Sequence, residues 1–480
     1  MSKPPYVRGF ATLEQETGPL EIPVQGRLPA WLSGTLVRNG PAKFEVGTQA
    51  YRHWFDGLAM LHAFVFQNGR VAYTNRFLES QSFLEAKARG KISRGEFGTM
   101  PHRSLFGRII DIVSPRRTDN ASVSVTMLAD RYVALTEAPV PIMFDPDTLR
   151  TLGPFHCDKQ LIGQLSTAHP HFDFDSRESF EYRSEISRKC HYHIFATQAD
   201  SGRVRRVTSI EVDQPAYMHS FAMTRQYVIL VEFPLVVKPL ALLLSGKPFV
   251  ENFVWQPDRA TRFKVIRKDD GQVVATCESD GCFSFHHVNA FEQGNEIFVD
   301  LIAYPDASNI SALYLDALRN GTDFTPGELR RYCLKLASGE AAHETLVPEA
   351  IEFPRLNYRM CNGNPYRYVF GTGNRLPRNF MDQLITVDVH ERTATTWYEP
   401  GCYPGEPVFV AAPDARDESD GVILSVVLDG RKGVSFLLVL DANSFAELAR
   451  AEVPHHIPFG LHGQYFERPG KVDPRRHLHR

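Results

Sequence analysis

The chain reads as an all-β fold of the propeller type, and three observations carry that reading. Short alternating runs separated by turn signals recur over most of the 480 residues, the runs are of strand rather than helix length, and no linker or low-complexity tract divides them. A sandwich gathers its hairpins into two sheets, whereas radial repetition hides the edges of many small antiparallel sheets and encloses an axis. We therefore expect one domain over residues 1–480, each repeated unit delivering an inner strand to the centre.

Taken in order, residues 63–66 and 71–77 flank Asn68-Gly69, a pair suited to the two left-handed positions of a type I′ hairpin turn. Residues 192–197 precede Ser201-Gly202, Asp270-Gly271 joins 263–266 to 273–276, and Asp429-Gly430 follows 422–428. An internal echo adds a repeated unit: Phe144-Asp-Pro-Asp-Thr-Leu, Val387-Asp-Val-His-Glu-Arg-Thr and Leu440-Asp-Ala-Asn-Ser-Phe each put an aspartate turn between two strands. Helical signal is local, over residues 79–89 and 309–319, the second with Asn309 as N-cap and Gly321 just past its end.

Charge excludes one class of partner. The 53 Lys+Arg against 56 Asp+Glu leave a net charge of −3, and no basic block interleaved with aromatics offers a nucleic-acid footprint. Seven cysteines (Cys157, Cys190, Cys277, Cys282, Cys333, Cys361, Cys402) form no C-x-x-C pair, and the opening Met-Ser-Lys-Pro-Pro-Tyr lacks the apolar run of a signal peptide. The expectation is a cytoplasmic protein whose cysteines are small buried hydrophobes. The greasiest region, residues 227–255, is broken by Glu232, Pro234, Lys238, Pro239 and Lys247 before it reaches the ~20 apolar residues of a spanning helix. Within it, Leu235 to Val237 and Leu240 to Leu244 read either as core or as a patch dipping into a membrane surface.

Chemistry points to histidine. His169 sits in Ser-Thr-Ala-His-Pro, His219 in Tyr-Met-His-Ser-Phe, His286 in Phe-Ser-Phe-His-His-Val-Asn and His462 in Pro-Phe-Gly-Leu-His-Gly. Imidazole among apolar neighbours is poorly solvated, and several converging on one point would make an all-nitrogen metal site. A single such histidine is ordinarily a satisfied core residue, and no H-E-x-x-H or paired C-x-x-C motif is present, so only the fold could assemble the site. The glycine, proline and aromatic neighbours favour assembly, because they mark strand ends and close backbone approach. His171 shares a strand face with His169, and His287 points opposite to His286; His169 and His286 are preferred, on the family pattern given below. Glu137, Glu352 and Glu406 also have apolar surroundings and need partners. They could accept the second N–H of ligand imidazoles or pair with arginines such as Arg355.

These residues carry a family resemblance over nearly the whole chain. Gly-Thr-Leu-Val-Arg-Asn-Gly-Pro from 34, His-Trp-Phe-Asp-Gly from 53, Ala-His-Pro-His from 168, Phe-His-His-Val-Asn-Ala from 285, Glu-Phe-Pro-Arg-Leu-Asn from 352, Gly-Glu-Pro-Val-Phe-Val from 405 and Leu-His-Gly from 461 resemble the carotenoid cleavage oxygenases. That group includes β-carotene oxygenases, apocarotenoid oxygenases and the retinoid isomerase of the visual cycle. The resemblance implies a seven-bladed β-propeller under a dome of helices and loops, with one Fe(II) per chain on its axis. It implies His169, His219, His286 and His462 as metal-binding, catalytic ligands, and Glu137, Glu352 and Glu406 as the carboxylates behind them, leaving one histidine without such a partner. It places Phe55, Phe97 and Thr136 in the substrate cleft; stilbene-cleaving members look to carry a lysine where Thr136 stands, which speaks against a lignostilbene.

The implied activity is insertion of both atoms of O2 across a C=C bond of a carotenoid or apocarotenoid, giving aldehyde fragments, with central cleavage to retinal favoured. A polyene has few hydrogen-bonding groups, so an aromatic tunnel must set which bond meets the metal, and 33 Phe and 17 Tyr can supply one. The rival readings are eccentric or stilbene-type cleavage, a retinoid isomerohydrolase using iron as a Lewis acid, and a non-catalytic propeller that binds apolar ligands.

Overall fold

Several antiparallel hairpins in this chain are closed by the turn chemistry their sequence carries. The computed structural model describes residues 4–101, 118–156, 161–321, 323–375 and 379–467; Cys157 and the opening Met1-Ser2-Lys3 lie outside them. Asn68 and Gly69 both take positive φ, 52° and 73°, between the strands Leu58–Gln67 and Arg70–Phe77, as a type I′ turn requires. The aspartate echo is one recurrent device. Asp145, Asp388 and Asp441 each accept backbone N–H bonds from residues two to three positions on, and a left-handed residue follows four positions after each, at Leu149, Arg392 and Phe445. Asp173 with Arg177, and Asp429 with Gly433, repeat the arrangement. The side chain takes the place of a backbone acceptor, so each turn is held by contacts within a few residues.

The all-β, propeller-like architecture holds, and helices are few and short. The blade count does not follow the family expectation of seven. Among the described residues, five blade-like sheets of four to six strands stand separately, beside one continuous eight-stranded sheet and two small ribbons. That long sheet exists because Val273–Ser279 meets Glu340–Thr345 through a single parallel pair, Glu278 with Glu340, which fuses two four-stranded halves. The two ends of the chain are laced together twice: Gly34–Lys43 pairs with Gly463–Glu467, and Val24–Gly26 with Glu447–Glu452. Closing the circle this way leaves fewer free sheet edges.

Two local expectations are corrected. The helix over residues 309–319 is two helices, Ser308–Ala312 and Leu315–Asn320, because Tyr314 leaves the helical path to bridge His53. Asn309 is not its N-cap; its amide instead bonds both the N–H and the C=O of Thr325, while Gly321 does end the second helix at φ 81°. Of the two greasy runs, Leu235–Val237 is a buried strand paired with Phe253–Trp255 and offers nothing to a membrane. The run that follows forms the helix Pro239–Leu244, with Leu240 and Leu244 exposed at 69% and 73%; the side chain of Leu243 lies outside the described set. Among the described residues no helix is long and apolar enough to cross a membrane.

Candidate metal centre

The four histidines singled out in the sequence lie at strand ends. His169 sits between Leu165–Ser166 and His171–Asp173, His219 just before Ala222–Met223, His286 directly before His287–Gln293, and His462 directly before Gly463–Glu467. Backbone bonds fix these positions: the C=O of His219 accepts from the Thr167 hydroxyl at 3.3 Å, and the N–H of His462 donates to the Val123 C=O at 3.1 Å. One ring nitrogen from each histidine lies within 4.8 Å of all the others. His219, His286 and His462 are buried, and His169 is partly so.

The tautomers follow from the carboxylates behind the rings. His219 Nδ1 donates to Glu137 Oε1, His286 Nδ1 to Glu352 Oε2, and His462 Nδ1 to Glu406 Oε1, each at 2.7 Å. An ionised carboxylate can only accept, so each Nδ1 carries the hydrogen and each Nε2 turns an unshared pair inward. His286 and His462 then face each other Nε2 to Nε2 at 3.1 Å, and His169 and His219 at 2.9 Å. The opposed lone pairs of His286 and His462 repel at that range unless a cation lies between them, and four neutral imidazoles are a donor set for a divalent transition metal. The residues present therefore fit a metal ion.

Electrostatics agree. Burial, followed by the charges of the other three rings, holds His169 well below the ordinary imidazole range. Burial lowers His219 against the pull of Glu137, and brings His462 down to about 4 against the pull of Glu406. Neutral rings are the form that ligates. Burial works to raise Glu406, but Arg355, His462 and Arg38 outweigh it and keep this carboxyl well below its usual value.

The three carboxylates are held differently. Tyr217 donates to Glu137 Oε1 at 2.8 Å and Tyr304 to Glu352 Oε1 at 2.9 Å, whereas Glu406 is ion-paired with Arg38 and with Arg355, the latter at 3.3 Å. The two roles weighed for the glutamates thus coexist at Glu406. His169 has no carboxylate partner among the described residues, His171 binds the Tyr358 hydroxyl and the Phe221 C=O at 2.9 Å each, and His287 meets Ser220 at 2.8 Å. Neither neighbour belongs to the cluster.

The centre opens on a cavity of about 840 Å³ with mostly apolar walls. Phe55, Phe97 and Thr136 all line it. Sequence reasoning missed other wall residues: Phe285, whose ring lies 5.8 Å from that of His219, and Phe353, 5.3 Å from His286 and 5.2 Å from His462. Both adjoin motif residues, and that adjacency was the signal in the sequence. Arg38, buried at 4% exposure, was also missed, although an arginine inside the apolar and glycine-rich run from Gly34 marks a charge in need of a buried partner.

This all-β protein gathers four imidazoles into one cluster, and three of them, His219, His286 and His462, line an apolar cavity. The chain belongs to the retinal pigment epithelial membrane protein family (RPE65), whose model matches residues 10–467, and so to the carotenoid cleavage oxygenases. It is 34% identical to the mitochondrial carotenoid-cleaving dioxygenase of Mustela putorius furo, covering 95% of each chain. It is 32% identical to the beta,beta-carotene 15,15'-dioxygenase of Mus musculus, covering 94% of this chain and 90% of that one. Among solved structures, a cobalt-substituted Synechocystis apocarotenoid oxygenase superposes with a TM-score of 0.87 at 28% identity, covering 97% of this chain and 98% of that one.

Proposed function

We propose that this chain is an iron-dependent dioxygenase that cleaves a C=C bond of a carotenoid or apocarotenoid with O2 to give two carbonyl fragments, central cleavage to retinal being the favoured reaction. The observation that carries the reading is the set of four convergent Nε2 atoms, with His219, His286 and His462 lining an apolar cavity of about 840 Å³. Relatives named for carotenoid cleavage support the substrate class, and the 15,15'-dioxygenases among them support the central position.

In this reading His169, His219, His286 and His462 hold Fe(II), which supplies oxygen activation beside the alkene. The protein does the rest. Glu137, Glu352 and Glu406 fix three tautomers and ring planes, so the donor set is formed before the metal arrives. Phe55, Phe97, Phe285 and Phe353 form apolar walls that orient the polyene and keep water away, and the Thr136 side chain adds a small neutral surface where a lysine would demand a phenol.

The test is aerobic incubation of the iron-loaded protein with β-carotene and apocarotenals. Aldehyde products that form with O2 and not without it support the proposal; intact polyenes across the panel contradict it.

We also propose that the helix Pro239–Leu244 touches a membrane surface, since Leu240 and Leu244 are exposed and Pro239, Leu242 and Leu244 line the same cavity. Changing Leu240 and Leu244 to serine should weaken liposome binding and leave metal content unaltered; unchanged binding contradicts it.

A further inference from the structure

One wall of the cavity carries an acid that the metal centre does not use. Glu96 is 6% exposed and lines the cavity beside Phe97, Met100, Thr118 and Asn120. Its Oε1 is fully buried and has no hydrogen-bond partner among the described residues. The polar groups of Asp56, Asp119 and Asn120, near Glu96, already have partners. Asp56 accepts from the N–H of His53 and Gly98 and from the Thr99 hydroxyl, Asp119 accepts from Gln81 and Ser82, and Asn120 bonds Ala59, Asp56 and Gly57.

A buried carboxyl oxygen left open costs free energy unless something completes it. We propose that Glu96 is a specificity-determining residue that hydrogen-bonds an oxygen at the end of the bound polyene, such as the carbonyl of an apocarotenal. This rests on the reading of the cavity as a polyene site. Burial, reinforced by Asp56 and Asp119 and only partly offset by Thr118 and Arg94, raises the Glu96 carboxyl well above its ordinary range. Arg94 is engaged with Glu85 at 2.7 Å. In its protonated form, which burial favours, Glu96 has an O–H to donate to a carbonyl, and a neutral donor on an apolar wall discriminates oxygenated from hydrocarbon ends without repelling either.

The experiment reads binding, so that it does not depend on turnover. Trp54 lines the same cavity, and quenching of its fluorescence reports affinity for an apocarotenal and for the hydrocarbon of the same length that lacks the carbonyl. Glu96→Leu should weaken the apocarotenal by about tenfold and leave the hydrocarbon unchanged, while Glu96→Gln, which keeps a donor, retains most of the preference. An equal ratio of the two affinities in the unaltered protein and in Glu96→Leu overturns the proposal. Because Glu96→Leu could fail to fold, the vibrational spectrum of the apocarotenal bound to the unaltered protein gives a second reading: its C=O stretch moves to lower frequency if the bond forms, and a stretch at the value of the free aldehyde overturns it. Failure to bind either polyene would instead strike the proposed function.

Discussion

Glu406 accepts the Nδ1 hydrogen of His462 at 2.7 Å while its other oxygen holds the buried Arg38, so one carboxylate joins the histidine cluster to a structural ion pair. Arg355 reaches the same group at 3.3 Å. Glu137 has no such cation among the described residues and leans on the Tyr217 hydroxyl.

The two glutamates should therefore fail differently. Glu406→Gln and Glu137→Gln should each lower metal affinity by about 10- to 100-fold, because each replaces the charged acceptor that orients a ligand ring with a weaker neutral amide oxygen. Only Glu406→Gln strands a buried arginine, at a cost of about 3–5 kcal/mol. Metal titration and denaturant unfolding of the two variants check this; equal losses of stability would contradict it.

Paired histidines provide a sharper contrast. His169→Ala removes a donor from the cluster and should abolish stoichiometric metal, whereas His171→Ala breaks only its bonds to Tyr358 and to the Phe221 C=O and should retain it. Elemental analysis of the two purified variants decides between them.

His53 gives a pH dependence. Burial brings its pKa from 6.5 down to about 3 against the help of the Ile310 C=O, and its neutral ring accepts the Phe55 N–H at 3.2 Å, holding that residue at the cavity wall. The unfolded chain takes up a proton at His53 below about pH 6.5 and the folded chain does not until about 3. Its contribution to stability is thus complete above 6.5 and is lost as pH falls through that window. Asp56, raised to about 6 chiefly by burial, has the opposite sign, but it remains in both proteins when His53→Asn is compared with the unaltered chain. The midpoint of thermal unfolding should fall less steeply with acid in His53→Asn; parallel slopes would contradict this.

For the walls, Phe55→Ala or Phe97→Ala should cut kcat/KM for a polyene by about tenfold or more, because the ring no longer shields the polyene from water, with metal content unaltered. A variant that loses metal as well would show that the ring supports the centre rather than the substrate.

Much of this was legible in the chain because it is decided locally. Asn68-Gly69 and the aspartate turns set their own backbone, and the glycine, proline and aromatic neighbours of His169, His219, His286 and His462 marked strand ends. What could not be read was decided by distant partners. The Glu278 and Glu340 pair that merges two sheets leaves no trace in either segment, and Tyr314 is pulled from a helix by His53, more than 200 residues away. The open oxygen of Glu96 likewise exists only once Asp56, Asp119 and Asn120 have found other partners.

The most direct test is X-ray absorption at the iron edge on the iron-loaded chain, with iron quantified per chain. One iron per chain surrounded by histidine nitrogens, and lost in His462→Ala, is the predicted result. Substoichiometric iron, or iron bound through carboxylate oxygen and retained in that variant, would contradict a centre made by these four imidazoles.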